Sequence, residues 1–240
     1  MQLLIGGLVA LSAAGATAVA VQSSTDTVSP ANRAQIEQIV RDYILEHPEI
    51  LPQAMARLKE KQVSAVIQEK RSSIETPYHG AWEGAENGDV VLTEFFDYAC
   101  GYCRASMPDI IKLLGEDKKL KVVYRELPIL SEESGQAARV SLLAAKNGKY
   151  PVFHKALYDE GTVSRNTILA AAAKTGLDRK DVLAAMTDES YTSEIENNIR
   201  LAQALGASGT PTFVVGDQVL NGAVGYDALK EAIAKARADK

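Results

Sequence analysis

The chain has 240 residues, with 26 Lys and Arg against 31 Asp and Glu, a net charge of −5 and an apolar fraction of 46%. That balance is globular and acidic, which argues against nucleic acid as a partner. No Gly-rich phosphate loop or dinucleotide fingerprint occurs, so neither a nucleotide nor a flavin is implied, and the acidic residues are too scattered to form a membrane-surface patch.

In chain order, residues 1–21 are apolar or small and carry no charge, with a small-x-small pattern at Ala18-Val19-Ala20. This pattern reads as a secretory signal. It departs from the usual form, because the first basic residue is Arg33. The run is nearly long enough to span a bilayer, so an uncleaved N-terminal anchor is the alternative. Both readings export the remaining chain. Gln22 to Pro30 follows as a polar leader.

Residues 31–73 read as a helical arm. Ile36, Ile39, Val40, Tyr43 and Ile44 recur at helical spacing, His47-Pro48 interrupts them, and Ile50, Leu51, Met55, Leu58, Val63, Val66 and Ile67 resume. About 40 residues cannot bury enough surface on their own. The stripes must therefore pack on the rest of the chain or on another copy. Residues 74–88, with breakers Pro77, Gly80, Gly84 and Asn87-Gly88, read as a linker and domain entry anchored by Tyr78 and Trp82.

A catalytic domain is expected over 89–238. Val90–Phe96 is a β-branched and aromatic run with the signature of a buried strand. Residues 104–114 have helical spacing, with a kink expected at Pro108. Between them stands Cys100-Gly101-Tyr102-Cys103, which holds both cysteines of the chain. Such a pair can be a redox dithiol, half a metal site or a structural staple. A staple closing so short a loop is worth only about 2 kcal/mol, against roughly 4.7 for a long one. A metal site normally takes four ligands, and His47, His79 and His154 lack finger spacing to the pair. The redox reading is favoured, with no metal assigned. An ordinary thiol is only about 3% ionised at pH 7, whereas a helix start favours the thiolate of Cys100.

Leu120–Leu127 reads as a second strand ended by Pro128, which makes a βαβ unit with a parallel pair. Helices are expected at about 132–147, 151–158, 165–175, 179–186 and 190–205, with Ser164 and Asp178 as N-caps and Gly176 and Gly206 as stops. His154, among Val152, Phe153 and Leu157, reads as a packed histidine. A hairpin follows at 212–220 around Gly216-Asp217, then a last helix at 227–238.

The run Glu94-Phe95-Phe96-Asp97-Tyr98-Ala99-Cys100-Gly101-Tyr102-Cys103, with Gly209-Thr210-Pro211-Thr212-Phe213 far downstream, resembles the DsbA-type thioredoxin-fold oxidoreductases. The nearer likeness is to the ScsC-like (suppressor of copper sensitivity) subgroup, which carries a helical segment before its catalytic domain. The resemblance covers roughly residues 34–236. It implies an α/β thioredoxin fold with a helical insertion at about 130–206, preceded by an N-terminal helical oligomerisation arm. Cys100 would attack and Cys103 would resolve the mixed disulfide. Thr210-Pro211 would be the cis-proline loop that holds substrate. Gly101 and Tyr102 would tune the dithiol and meet substrate. Glu94 would relay protons, the alternative being an edge-facing strand residue. The dithiol itself would be the only redox centre, with no added cofactor. Expected partners are cysteine-containing substrate proteins, a membrane redox partner that resets the dithiol, and further copies of the chain, as a trimer through 31–73. The expected location is the periplasm, and oxidase, isomerase and reductase roles stay open. The competing class is a copper-binding or metal-tolerance module that uses the two cysteines as soft ligands.

Overall fold

The computed structural model describes residues 29–240. The signal or anchor expected at 1–21 and nearly all of the leader lie outside the described residues. The chain divides into two compact units, Met1–Pro52 and Gln53–Lys240.

In the first unit, helix α1 (Pro30–Glu46) starts at Ser29, whose hydroxyl accepts the Asn32 N–H at 3.3 Å, with Pro30 in the first turn. It stops at His47, before Pro48. Ile36, Ile39, Val40 and Tyr43 are all at least half exposed.

Helix α2 (Ile50–Glu75) runs on into the second unit. There the chain forms β1 (Trp82–Gly84), β2 (Val90–Phe96), α3 (Gly101–Glu116) and β3 (Leu120–Glu126). A helical block follows: α4 (Glu132–Lys146), α5 (Tyr150–Asp159), α6 (Arg165–Thr175), α7 (Arg179–Ala185), a 3-10 turn at Glu189–Tyr191, and α8 (Thr192–Ala204). The hairpin β4 (Thr212–Val215) and β5 (Gln218–Asn221) and helix α9 (Tyr226–Ala238) complete it. The sheet order is β1-β3-β2-β4-β5, with β2 and β3 parallel and the other pairs antiparallel. A strand–helix–strand start and a hairpin–helix end, split by a helical block, make the thioredoxin arrangement expected from the sequence.

Side chains alternate across the sheet, and the central strand β2 separates two cores. Val90, Leu92 and Phe96 join the larger core with α3, α4, α5 and α9. Phe95 joins a smaller core with Ile67 and Ile74 of α2, Leu201 and Ala202 of α8, Leu205 and Val214.

Two boundaries differ from expectation. The arm was expected to end at residue 73 and give way to a linker. Instead α2 continues to Glu75, and Ile67 and Ile74 are each only 1% exposed inside the domain core. Each such burial contributes about 1.5–3 kcal/mol, so the inner part of the arm is structural to the domain. The linker expected at 74–88 also contains β1, which pairs Trp82 with Val123. Three residues are too few to show a period. Its Gly84 has φ +94°, and a Cβ there would lie 2.3 Å from the Leu120 carbonyl, so only glycine fits.

The inner part of α2 is held by polar contacts as well. Arg125 of β3 is buried. It donates to the Ile74 carbonyl (3.4 Å), to Glu194 (3.0 Å) and Asn198 (3.1 Å) of α8, and to the carbonyls of Ser73 and Thr76. The last carbonyls of a helix have no partner within it, and a guanidinium there also meets the negative end of the helix dipole. Ser64, Gln68 and Arg71, one and two turns apart, all reach Asp217 in the β4–β5 turn.

Candidate active site: the Cys-Gly-Tyr-Cys turn

Strand β2 ends at Phe96, and the next four residues form the turn into α3. Cys100 is the N-cap of α3, with extended backbone (φ −78°, ψ 116°) and no side-chain capping hydrogen bond. Cys100 thus sits at the positive end of the α3 dipole, beside first-turn N–H groups that have no partner within the helix. Cys100 is 6% exposed and Cys103, one turn on, is 0% exposed, and both are free thiols. Gly101 and Tyr102 face solvent, Tyr102 at 70% exposure, and a Cβ at Gly101 would meet nothing within 4 Å. Helix α3 runs on through Pro108.

The downstream motif arrives at the same place. The Thr210–Pro211 peptide is cis, and the Cys100 thiol donates to the Thr210 carbonyl at 3.2 Å. Residues 110 positions apart are thus brought into direct contact at Cys100.

Beneath it lies Glu94, on β2 between Tyr124 of β3 and Phe213 of β4. It is 1% exposed, and neither carboxylate oxygen has a hydrogen-bond partner. Its strand is central in the sheet, so an edge-facing position is ruled out. Burial, reinforced by negative charge on Cys100, pushes its pKa up to about 8. Burial, followed by the Glu94 carboxylate, also drives the Cys103 thiol far above its ordinary range, against the pull of a hydrogen bond to the Asp97 backbone.

Against this geometry, a family model described as the DSBA-like thioredoxin domain matches residues 91–234. The chain belongs to the DsbA-like thioredoxin family. Its two site motifs, both cysteines and Glu94 fall inside that match. A second model, the copper resistance protein ScsC N-terminal domain, matches residues 32–65, which cover α1 and the outer part of α2. Among solved structures, a thioredoxin-like oxidoreductase from Silicibacter pomeroyi is 39% identical with a TM-score of 0.65, over 70% of this chain and 98% of that one. A linker-deleted variant of ScsC from Proteus mirabilis is 26% identical with a TM-score of 0.71, over 90% and 100%. Among curated proteins, the Na(+)/H(+) antiporter NhaA of Herminiimonas arsenicoxydans is 32% identical over 149 residues, 60% of this chain. The chain spans only 23% of that antiporter's length.

This DsbA-like domain also uses residues that the sequence reading passed over. Asp97 is buried. Its Oδ1 accepts the Ala99 N–H at 2.8 Å, and its Oδ2 accepts the N–H groups of Ile129 (2.8 Å) and Leu130 (3.0 Å). Its carbonyl accepts the Cys100 N–H at 3.0 Å and the Tyr158 hydroxyl at 3.4 Å. An Asp two residues before a turn is an Asx-turn signal, and that signal was legible in Asp97-Tyr98-Ala99. Behind it runs a buried chain in which Ser141 donates to Glu126 at 2.5 Å and pairs with the Tyr98 hydroxyl at 3.0 Å, which in turn meets His154 Nδ1 at 2.9 Å. His154 sits among Phe96, Tyr124, Tyr150 and Tyr158. Burial pulls its pKa down to about 3, as suits a packed neutral histidine. Among the described residues no group of three or more His, Cys, Asp and Glu is placed to hold a metal ion.

Proposed function

We propose that this chain is an exported thiol-disulfide oxidoreductase that exchanges disulfides with substrate proteins in the cell envelope, acting chiefly as a disulfide isomerase or reductase. The observation that carries this reading is the Cys100 sulfur, which stands at the N-terminus of α3 and lies 3.2 Å from the cis-loop carbonyl of Thr210.

The Cys100 thiolate attacks one sulfur of a substrate disulfide. A mixed disulfide forms, and the other substrate sulfur leaves as a thiolate. Cys103 then attacks Cys100 Sγ, the Cys100–Cys103 disulfide forms, and the second substrate sulfur leaves with the electron pair. Cys103 enters that step as a thiol, because burial and the Glu94 charge disfavour its thiolate. Glu94, whose pKa of about 8 lies near working pH, accepts that proton. Thr210, positioned by the buried Pro211, forms with the exposed Gly101 and Tyr102 the surface on which the substrate chain lies. No further cofactor is needed. A membrane redox partner supplies the two electrons that return the disulfide to the dithiol.

The arm supports the isomerase side of this reading. Apolar stripes at Ile36, Ile39, Val40, Tyr43, Leu51, Met55 and Leu58 stand at least half exposed, and such stripes favour self-association. We infer a homo-oligomer, a trimer, built by the outer part of the 31–73 arm. Several dithiols in one assembly raise the effective concentration at a misfolded chain and favour repeated exchange.

Two assays test this. The unaltered chain should accelerate insulin reduction and restore activity to scrambled ribonuclease, and Cys100→Ser should do neither. No acceleration by the unaltered chain would overturn the reading. A second reading, Cu(I) held by the Cys100 and Cys103 thiolates, draws on the description of the matched arm family. Stoichiometric Cu(I) binding by a chain inert toward insulin would favour it.

A further inference from the structure

Arg104 follows the second cysteine and stands one helical turn from Cys100, its N–H donating to the Cys100 carbonyl at 3.2 Å. Residues four apart share a face of a helix, and their side chains lean toward its N-terminus. The Arg104 side chain therefore rises toward the level of Cys100. On its other flank lies the loop between α5 and α6, where a Cβ on Gly161 would stand 3.8 Å from Arg104 Nη1. That loop is tied to the redox turn. The Asp97 carbonyl takes both the Cys100 N–H and the hydroxyl of Tyr158, three positions before Gly161. The guanidinium thus occupies a notch between the start of α3 and the α5–α6 loop, on the nucleophile's side of the domain.

This cation has no counter-charge. Arg104 is half-buried, and its Nε is buried without a hydrogen-bond partner. The acids of the segments that meet there are engaged elsewhere. Asp97 takes three backbone N–H groups, Asp159 pairs with Lys155 at 2.6 Å, and Glu160 pairs with Lys174 at 2.7 Å. A buried donor left unsatisfied is costly, and Arg125, the other guanidinium described above, is surrounded by acceptors.

We propose that Arg104 is a specificity-determining residue of the dithiol site, and that its guanidinium binds a carboxylate of the substrate polypeptide carried next to the attacked disulfide. This rests on the oxidoreductase reading above. The attacked sulfur must come to Cys100, so an acidic side chain beside that sulfur comes within reach of a guanidinium one turn away. The planar fork of an arginine matches a carboxylate, and such a partner completes the hydrogen bonding that the chain itself leaves open. The net charge of −5 disfavours acidic segments at a distance, and one fixed cation offsets this at the point of attack.

The test uses the full chain in its dithiol form and two synthetic peptides, each with one internal disulfide. Glutamate flanks one cysteine on both sides in the first, and glutamine takes its place in the second. Single-turnover reduction gives a second-order rate constant for each. Reduction converts the peptide disulfide to a dithiol and the enzyme dithiol to the Cys100–Cys103 disulfide. The unaltered chain should prefer the glutamate peptide by about fivefold, which is roughly 1 kcal/mol, and added salt should shrink that ratio. Arg104→Gln should bring the ratio to within twofold of one, and Arg104→Lys should keep part of it. Gly161→Asp, which sets a carboxylate against the guanidinium, should also abolish the preference, and Gly161→Asn should retain it; Asp and Asn are the side chains that tolerate the left-handed backbone there (φ +79°). Equal rates for the two peptides in the unaltered chain would overturn the proposal. So would an Arg104→Gln chain that slows both peptides alike with the ratio intact, the mark of a residue acting on the Cys100 thiolate or on packing alone. If Arg104→Gln fails to fold, the Gly161 pair decides. Failure of the unaltered chain to reduce either peptide or glutathione disulfide would overturn the oxidoreductase reading itself.

Discussion

Two buried ionisable side chains stand one register step apart on neighbouring strands and are treated in opposite ways. Arg125 of β3 lies across from Phe95, and Glu94 of β2 lies across from Tyr124, so they point to opposite faces of the sheet. Arg125 is surrounded by acceptors: three carbonyls at the end of α2 and two side chains of α8. Glu94 has none. A buried charge with every donor used marks structure, here the closure of a helix on the sheet. A buried carboxyl without a partner costs stability, and it persists here beneath the redox turn, where the proposed mechanism moves a proton. One face of this sheet is built for holding and the other for exchange.

The sharpest way to break that contrast is to remove Arg125. Arg125→Ala leaves Glu194 partly buried without its cation and strands the Ser73, Ile74 and Thr76 carbonyls, so unfolding in urea should show a loss of about 3–5 kcal/mol. A loss below about 1 kcal/mol would mean that α2 docks by its apolar face alone.

Glu94→Gln should act in the opposite sense. The folded-state pKa of Glu94 is raised to about 8 from an ordinary 4.5. The folded chain therefore binds more protons than the unfolded chain between those values, and stability falls as pH rises through that window. Glutamine has no such slope. The variant should equal the parent near pH 4 and exceed it by several kcal/mol, roughly 3–5, above pH 8, while the resolving step slows. Parallel pH–stability curves for parent and variant would show that Glu94 is not held neutral by the fold.

A smaller effect separates the docked part of α2 from its surface contacts. Arg71 and Asp217 are 39% and 44% exposed, and exposed pairs contribute about 0.2–1 kcal/mol. Asp217→Ala should therefore cost under about 1 kcal/mol, even though Ser64, Gln68 and Arg71 all converge on it.

The smallest effect on stability belongs to the outer stripe, and there the readout is assembly. Ile39→Ser with Leu51→Ser and Leu58→Ser should change the unfolding free energy of the catalytic domain by less than about 1 kcal/mol. Light scattering should show the oligomer falling to a monomer. A parent that is already monomeric at micromolar concentration would return the arm to a role confined to one chain.

Much of this was legible in the sequence because local chemistry and fold agree. Ser164 and Asp178 cap α6 and α7, and Gly176 takes the left-handed position that ends α6. The strand runs Val90–Phe96 and Leu120–Glu126 are rich in β-branched and aromatic residues and pair in parallel, and Thr212–Val215 forms a hairpin with Gln218–Asn221, both as expected. What was not legible depended on tertiary partners. Ile67 and Ile74 sit on the same helix as Met55 and Leu58 but roughly 100–180° around it, and the first two are 1% exposed while the others are 71% and 57% exposed; apolar residues at helical spacing do not show which face, or which length of the helix, is covered. Arg125 in Val123-Tyr124-Arg125-Glu126 looks like an ordinary outward polar residue, because its acceptors are 49 to 73 positions away. The carboxylate of Asp97 reads as a local turn former, and its reach to Ile129 and Leu130 follows only from the parallel pairing of β2 with β3.

The most direct test of the central claim is to trap the first covalent intermediate. The Cys103→Ser and Cys100→Ser chains would each be incubated with a disulfide-bonded substrate and analysed by mass spectrometry without reductant. Cys103→Ser should accumulate a mixed disulfide through Cys100, because attack proceeds and resolution cannot, and Cys100→Ser should accumulate none. Adducts on Cys103 in the Cys100→Ser chain, with none on Cys100 in its counterpart, would contradict the account.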